Sequence, residues 1–431
     1  MALKVYAEVY GCAANQADGE IILGLLEGAG FRIVSNPDEA DLNVLVTCAI
    51  KKPTSDRMLE RAKKFHESGK PLLIAGCMVT AEWKAIRKIA PSAVFIGPRD
   101  IYKVVEVISS RMNLECCRTA LNINSKLGLR RYRRNRVVGI VPVSEGCRWA
   151  RCTFCIVPIA RGPFFSYPMS EVVDEARKML EDGCREIWLT SQDMGSYGLD
   201  FGKNMLPDLI NEVARLQGTF FIRVGMMNPI YLSPILDDLI ASYLNPKVFK
   251  FLHLPLQSGS DKVLRDMGRG YTPQLFKKIV EKFKTLIPEL TLATDIIVGY
   301  PTESEEDFEM SIKVLNEIKP DIVNISKFYP RPGTPANKLP RLPSRLVDER
   351  SKVMTEICKE LSTKSNERWI GWYGLALVDE VGKYGEMVCR NASYKPIVLD
   401  TKRDLLGKFV EVSVVDATAY CLFGKLESTL S

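Results

Sequence analysis

Short apolar runs alternate with helical patterns through the first part of the chain. KVYAEVY, LNVLVTC and PLLIAGC read as strands, the last two apolar enough to be buried on both faces. The stretch 18-DGEIILGLLEGAGF-31 predicts a helix stopped at glycine, and 55-SDRMLERAKKFHESG-69 a helix with a serine cap and a glycine stop. Strand, helix, strand, helix in this order predicts a parallel α/β sheet. Each of the three strand-like runs ends in a cysteine, at Cys12, Cys48 and Cys77. In an open parallel sheet the carboxyl ends of the strands share one edge, where ligands bind. Three thiols from three strand ends are therefore expected to converge. One such cysteine by itself would read as a buried structural thiol.

A second α/β run follows. VVGIVPVS, EIWLT, FFIRVGM, VFKFLHLP, LATDIIVGY and DIVNISKFY read as strands, with amphipathic stretches such as 169–183 and 304–318 between them. This pattern fits a parallel barrel or partial barrel with its active site at the carboxyl ends of the strands. A long charged helix at about 344–368 leads into a β pattern from Trp369 onward: YGLALVDEV, GEMVCR, KPIVLD and KFVEVSVVDA. Its size and turns suggest a small barrel of the oligonucleotide-binding class. The expected domains are 1–125, 126–365 and 366–431.

Composition narrows the class. With 46% apolar and 26% charged residues, the chain is an ordinary globular protein able to bury large cores. No basic start leads into an apolar run, so no signal peptide is expected. No stretch is apolar for long enough to span a bilayer. The expected address is cytoplasmic, with no membrane partner. In a reducing compartment twelve cysteines favour metal sites over disulfides. The net charge of +7 permits a polyanion partner without requiring one. The segment 126-KLGLRRYRRNR-136 carries six Lys/Arg and no acid. It reads either as a solvated basic linker or as a phosphate-binding strap with Tyr132 as a stacking surface.

The densest chemistry is 146-GCRWARCTFCIVP-158, with Cys147, Cys152 and Cys155. A structural zinc site is usually closed by four ligands, and no fourth Cys or His lies nearby in sequence. Three thiolates on a loop suit a four-iron cluster better, with one iron left open for a ligand. A three-cysteine run opening a partial barrel resembles the radical S-adenosylmethionine enzymes. Their usual spacing is C-x3-C-x2-C; here it is C-x4-C-x2-C, the extra residue lying within Arg148–Arg151.

The resemblance narrows along nearly the whole chain, in 11-GCAANQAD-18, 47-TCAIKKPTSDRM-58, 75-AGCM-78, 145-EGC-147, 160-ARG-162, 226-MMNP-229, 253-HLPLQSGSD-261, 295-DIIVGYPTE-303 and 328-FYPRPGTPA-336. Together these resemble the methylthiotransferases, whose C-terminal segment is the RNA-binding TRAM domain. That resemblance implies an N-terminal methylthiotransferase α/β domain, a central radical-SAM partial (β/α)6 barrel and a C-terminal TRAM β-barrel. It implies two [4Fe-4S] clusters. Cys147, Cys152 and Cys155 would hold the one that binds and reductively cleaves S-adenosylmethionine to a 5′-deoxyadenosyl radical. Cys12, Cys48 and Cys77 would hold the one that carries the sulfur to be inserted. One S-adenosylmethionine would methylate that sulfur, and a second would supply the radical that strips hydrogen from the target carbon.

The stretches 166-SYP-168, 186-EIWLTSQDMGSYGLDFG-202 and 328-FYPRPGTPA-336 look like the archaeal and eukaryotic tRNA branch. That branch converts N6-threonylcarbamoyladenosine 37, in the tRNA anticodon loop, to its 2-methylthio derivative. Its electron and sulfur donors are not named by the sequence. Rival readings keep the chemistry and change the substrate to isopentenyladenosine tRNA or a ribosomal-protein aspartate. A different class, a non-catalytic RNA-binding protein with zinc-bound cysteines, also fits thiol clusters. From Trp369 onward seven Lys/Arg face eight Asp/Glu, less basic than a nucleic-acid module should be.

Further candidates follow the strand ends. Phe154, Gln192, Arg223, His253 and Gln257 are expected around the cofactor. Asp193 is either a contact beside Gln192 or a helix cap. Arg223 either meets the cofactor carboxylate or pairs with an acid. Asp295 lies in an apolar strand and needs a partner, since an unpaired buried carboxylate is costly. Arg130, Arg131, Tyr132, Arg133, Arg134 and Arg331 are the RNA-binding candidates. Cys116, Cys117, Cys184, Cys358, Cys389 and Cys421 read as structural thiols.

Overall fold

The computed structural model describes residues 2–50, 52–112, 125–401 and 403–429. Cys116 and Cys117 lie outside the described residues. The N-terminal sheet contains β1 (Lys4–Val9), β2 (Arg32–Val34), β3 (Leu42–Thr47), β4 (Leu72–Gly76) and β5 (Val94–Ile96). Their order is β2-β1-β3-β4-β5, all parallel. Every residue of β3 and β4 is buried, as their largely apolar runs, broken by Asn43 and Thr47 in β3, lead one to expect of strands covered on both faces. Val9 pairs with Val46, and Thr47 with Gly76. The residues after β1, β3 and β4 therefore leave the sheet side by side.

The first helix, α1 (Ala13–Gly28), begins directly after Cys12, earlier than its apolar periodicity indicates. The small and polar run AANQAD carries no strong periodic signal but is helical, and Cys12 takes the N-cap position. The next two helices are α2 (Lys52–Glu67) and the short α3 (Cys77–Ala81).

The central region holds β6 (Val138–Pro142), β7 (Ser144–Glu145), β8 (Phe165–Ser166), β9 (Glu186–Thr190), β10 (Phe221–Val224), β11 (Phe251–His253), β12 (Thr291–Val298) and β13 (Ile322–Lys327). Two parallel three-stranded sheets form, β10-β9-β6 and β11-β12-β13. A parallel bridge between Ile222 and Val248 joins them. These are the six strands expected of the partial barrel. The short antiparallel pair β7–β8 brackets the three-cysteine run.

The C-terminal strands β14 (Tyr373–Val381), β15 (Met387–Asn391), β16 (Pro396–Leu399), β17 (Phe409–Ala417) and β18 (Leu422–Thr429) close into a barrel in the order β14-β15-β16-β18-β17. The fifth strand escapes the sequence pattern because glycine and lysine interrupt its apolar residues. At Gly424 a Cβ would stand 2.5 Å from Val412, so the closed barrel needs glycine there.

Two packing seams position the site. On one, Ala17 of α1 packs with Val138, Ile140 and Trp188 of the central strands. On the other, Phe221, Phe249 and Phe251 of the central domain pack with Leu377, Tyr394 and Phe409 of the C-terminal barrel. Phe221 and Phe249 stack with centroids 4.4 Å apart, and Tyr394 stands edge-on to Phe249 at 4.8 Å.

Candidate functional site

Cys12 is exposed at the start of α1, while Cys48 after β3 and Cys77 at the start of α3 are buried. Burial pushes the Cys77 thiol up to about 12, with the charge of Arg161 working against it and Cys12 and Cys48 adding to it. Burial likewise raises Cys48, and Cys12 contributes. The three sulfurs thus share one electrostatic neighbourhood, as the strand ends predict. Asn15 stands among them. Its Nδ2 donates to the carbonyls of Tyr10 and Thr47, both at 2.9 Å, and the Cys77 thiol lies 3.5 Å from its Oδ1.

Cys147, Cys152 and Cys155 occupy the loop between β7 and β8. The Cys155 amide donates to the Cys152 carbonyl at 3.2 Å, closing a turn over the x2 gap. Burial pushes Cys147 up to about 12, with Asp193 and Cys155 adding to it, and Cys155 up to about 11, with Cys152 adding to it. Arg269 donates from Nη1 to the Cys152 sulfur at 3.2 Å.

The long first gap is taken up by Trp149. Its indole N–H donates to the Gly268 carbonyl at 2.7 Å, and its ring edge lies 2.4 Å from where a Cβ of residue 270 would stand. Gly268, at φ +70°, lets the Arg151 carbonyl approach to 2.3 Å of its missing Cβ. Thr153 anchors the second half of the loop, from its amide to the Met267 carbonyl and from its hydroxyl to the Asp266 carbonyl, both at 2.9 Å.

Among the described residues, no three His, Cys, Asp or Glu side chains are close enough together to hold one metal ion. A multi-iron cluster, whose cysteines bind separate iron atoms, tolerates a wider spacing, and the all-thiol donor set suits it.

Beside the barrel trio lie unsatisfied acceptors. Gln192 Oε1 and Asp193 Oδ2 are buried without a partner. Asp193 Oδ1 meanwhile accepts the amides of Asn228 at 2.8 Å and Gly195 at 3.1 Å. Asp193 is thus both a cap and a carboxylate with one bare oxygen; burial pushes it up to about 6. Such acceptors fit the amino group or ribose hydroxyls of S-adenosylmethionine.

His253 Nε2 lies 3.2 Å from both carboxylate oxygens of Asp295, and Asn324 donates to Asp295 Oδ1 at 2.8 Å. These are the partners Asp295 requires. Gln257 holds φ +70° and donates its amide to the Asp295 carbonyl at 2.7 Å. Non-glycine residues persist there only when their surroundings hold them.

Arg223 meets rings: its guanidinium stands 4.7 Å from Trp188 and 5.2 Å from both Phe251 and Tyr394. Its Nε is buried without a partner. Phe154 packs against the cluster of Val263, Met267, Tyr300 and Ala336.

The basic strap is a seam. Arg131, with its side chain 2% exposed, pairs with Glu175 at 2.9 Å and Glu20 at 3.6 Å. Arg133 bonds Asp182 at 3.0 Å, Arg134 donates to the Ala7 carbonyl at 2.7 Å, and the Tyr132 amide donates to the Glu20 carbonyl at 2.9 Å. Arg131 is enclosed between α1 and the helix Met169–Glu181, with its Nη1 and Nη2 lacking hydrogen-bond partners. Arg331 is buried as well, with its Nη2 lacking a hydrogen-bond partner. It is 4% exposed and donates to Glu82 at 3.2 Å and Ser55 at 3.3 Å, tying the barrel to the N-terminal domain. Arg130, Arg134 and Arg136 stay exposed.

Sequence reasoning missed Asn15, Asp18, Glu145 and Arg161, which join the two trios. Their signal was polar residues at positions where the surrounding pattern is buried. Cys184, Cys358 and Cys389 are buried free thiols, and Cys421 is a half-buried one.

Comparison with known proteins agrees with this geometry. Residues 4–97 match Uncharacterized protein family UPF0004, residues 141–315 the Radical SAM superfamily and residues 370–426 the TRAM domain. A Pyrococcus horikoshii protein named probable threonylcarbamoyladenosine tRNA methylthiotransferase is 39% identical over 98% of this chain and 99% of its own. A Methanothermobacter thermautotrophicus protein of the same name is 38% identical over 96% and 98%. The Homo sapiens threonylcarbamoyladenosine tRNA methylthiotransferase is 33% identical over 98% of this chain and 74% of its own.

Among solved structures, the radical S-adenosylmethionine methyltransferase TsrM from Kitasatospora setae superposes with a TM-score of 0.56 at 14% identity, over 78% of this chain and 74% of that one. The cobalamin-dependent radical enzyme OxsB gives 0.51 at 10%, over 83% and 56%. At these identities both likenesses speak for the fold alone. Relatives across archaea and eukaryotes that align over 96% or more of this chain place it: it belongs to the radical S-adenosylmethionine methylthiotransferase family, in the branch whose members are named threonylcarbamoyladenosine tRNA methylthiotransferases.

Proposed function

We propose that the chain converts N6-threonylcarbamoyladenosine 37, in the anticodon loop of tRNA, to its 2-methylthio derivative, in the cytoplasm. One observation supports this reading: Arg161, in the helix that follows Cys155, reaches the Asn15 amide beside Cys77 and so ties the segment bearing one cysteine trio to the segment bearing the other. Cys147, Cys152 and Cys155 would hold one [4Fe-4S] cluster, and Cys12, Cys48 and Cys77 a second. When bound, the two clusters and S-adenosylmethionine supply a hydrogen-abstracting radical and a sulfur donor.

The chain's own residues do the positioning. Gln192 and Asp193 offer bare acceptors to S-adenosylmethionine. His253, Asp295 and Asn324 form a bonded group across β11, β12 and β13. The aromatic packing of Phe221, Phe249, Phe251 and Tyr394 holds the central domain against the C-terminal barrel. A cavity of about 400 Å³ opens where the three domains meet, lined in part by Tyr132, Arg134, Trp188 and Arg390. Tyr132 and Trp188 offer ring faces to stacked bases, while Arg390 is paired with Asp379 and Glu380, which line the cavity too. Among the described residues no helix is long and apolar enough to cross a membrane. An external reductant and a sulfur source complete the reaction.

The deciding experiment is nucleoside mass spectrometry on threonylcarbamoylated tRNA after anaerobic incubation with reconstituted protein, S-adenosylmethionine, sulfide and a reductant. A 2-methylthio nucleoside at position 37 is expected. Formation of 5′-deoxyadenosine without that product would move the substrate to isopentenyladenosine tRNA or a ribosomal protein. Zinc without labile sulfide in the purified chain would overturn the chemistry.

A further inference from the structure

A buried chain of polar side chains runs from one thiol trio to the other, and neither cluster ligation nor cofactor contact accounts for it. It starts at Asn15, whose amide touches all three N-terminal cysteine segments. Its Nδ2 holds the carbonyl two residues before Cys12 and the carbonyl just before Cys48, and its Oδ1 faces the Cys77 sulfur. The orientation of the amide is determined by its partners. Turned over, it would set Oδ1 against two carbonyls and its NH2 against a guanidinium.

That guanidinium is Arg161. One nitrogen, Nη2, donates to Asn15 Oδ1 at 2.7 Å and to Asp18 Oδ2 at 2.9 Å. The other, Nη1, donates at 3.1 Å to Glu145 Oε2, and Glu145 stands two residues before Cys147. Lys126 closes the figure, at 2.7 Å from Asp18 and 2.6 Å from Glu145. Two cations thus face two carboxylates, and no side chain of the four is more than 6% exposed.

A balanced quartet needs no ligand, and well-packed apolar residues would often hold a domain seam as firmly. What a planar, two-sided fork adds is geometry, because it fixes the directions of two partners at once. Here those partners are the hub of one trio and the strand that leads into the other. We propose that Arg161, acting through Asn15 and Glu145, is the positioning residue that sets the separation between the two iron–sulfur sites. This rests on the reading that each trio holds a cluster. A fixed separation matters because the site that supplies sulfur and the site that activates carbon must serve one atom. Small misplacements of reacting groups are costly in rate.

The test uses the full chain, reconstituted anaerobically, as wild type, R161K and N15S. Lysine keeps the charge but cannot hold both directions. Serine is a smaller change in the hub and decides by the same readouts should R161K fail to fold. Pulsed electron paramagnetic resonance reads the dipolar distance between the two reduced clusters. Nucleoside and 5′-deoxyadenosine analysis reads how many S-adenosylmethionine cleavages each methylthio product consumes.

The expected result is full iron and sulfide, a broadened or displaced distance distribution, and a rise on the order of tenfold in cleavages per product. An unchanged distribution and an unchanged ratio in a folded, iron-replete variant would overturn the proposal. A chain with Cys12, Cys48 and Cys77 all replaced by alanine tests the underlying reading separately. If its iron content equals that of wild type, the two-cluster assignment fails whatever Arg161 does.

Discussion

Asp193 accepts the backbone amide of Asn228 at 2.8 Å through one carboxylate oxygen and leaves the other buried and bare. Its burial raises its carboxyl to about 6, so the charge is held at a cost that a cationic partner would relieve. Asp193→Asn keeps the side chain's shape and its contacts to the amides but loses the charge. A charge-assisted hydrogen bond is worth about 1.5–3 kcal/mol, so S-adenosylmethionine should bind tenfold or more weakly. Calorimetric titration of the reconstituted chain measures this. Equal affinity in the variant would remove Asp193 from the cofactor site.

The two trios should fail differently. Cys152→Ala is expected to abolish reductive cleavage of S-adenosylmethionine. Cys77→Ala should spare that cleavage and stop sulfur insertion. Chromatography of 5′-deoxyadenosine beside mass spectrometry of the nucleoside separates the two. A Cys77 variant that still made methylthio product would show that the sulfur does not come through the N-terminal site.

The cysteine loop depends on Trp149, whose indole holds the Gly268 carbonyl. In a chain whose N-terminal trio is already replaced by alanine, Trp149→Ala should at least halve the iron retained after desalting. Stability should fall by about 2 kcal/mol, below the 3–5 typical of a fully buried tryptophan because this ring is only half-buried. Iron analysis and denaturant melts check both. Full iron retention would mean that the loop holds its longer gap without the tryptophan.

The strap arginines divide by exposure. Arg130 has its side chain 60% exposed, whereas Arg131 is enclosed. Arg130→Ala should leave stability within about half a kcal/mol and lower the salt dependence of tRNA binding, each lost phosphate contact reducing the slope by about 1. Arg131→Ala should instead destabilise the chain by about 3–5 kcal/mol, because Glu175 and Glu20 would be left buried without their cation. Filter binding across salt concentrations and urea melts distinguish the two. Equal stability of both variants would contradict the seam.

A pair of acids at the seam with the C-terminal barrel should make stability depend on pH. Glu186 is pushed up to about 8 from an ordinary 4.5, first by burial and then by the charge of Asp379, which is raised as well. Such a carboxyl keeps its proton in the folded chain after the unfolded chain has lost it. Between about 4.5 and about 8 the folded state therefore binds more protons, and stability falls as pH rises through that window. The melting temperature should drop from about pH 6 to about pH 8.5, and Glu186→Gln should flatten the slope. A variant that kept the slope would place its cause elsewhere.

The sequence made the two trios legible because strand ends and cysteine spacing are signals along one dimension. Cys12, Cys48 and Cys77 could be placed together from the apolar runs that precede them. The quartet could not, because its members come from four separate segments and only the fold brings them together. Lys126 illustrates the difficulty. In sequence it is one residue of a basic run, and in the structure it lies between Asp18 and Glu145. Charge along the chain says nothing about which acids will cross a domain boundary to meet it. The acidic partners of Arg131 and Arg331 were hidden for the same reason.

Tyr394 carries a consequence for anyone who would trim this protein. It stands at φ +61° and lays its ring against Phe249 and Phe251, inside the base of the central domain. A chain cut before Trp369, made to ask whether the C-terminal barrel recruits RNA, would also take Tyr394 away from those rings. Lost activity in such a truncation would confound a missing grip on substrate with a central domain whose aromatic seam has been laid bare. Point changes on the outer face of that barrel are the fairer instrument.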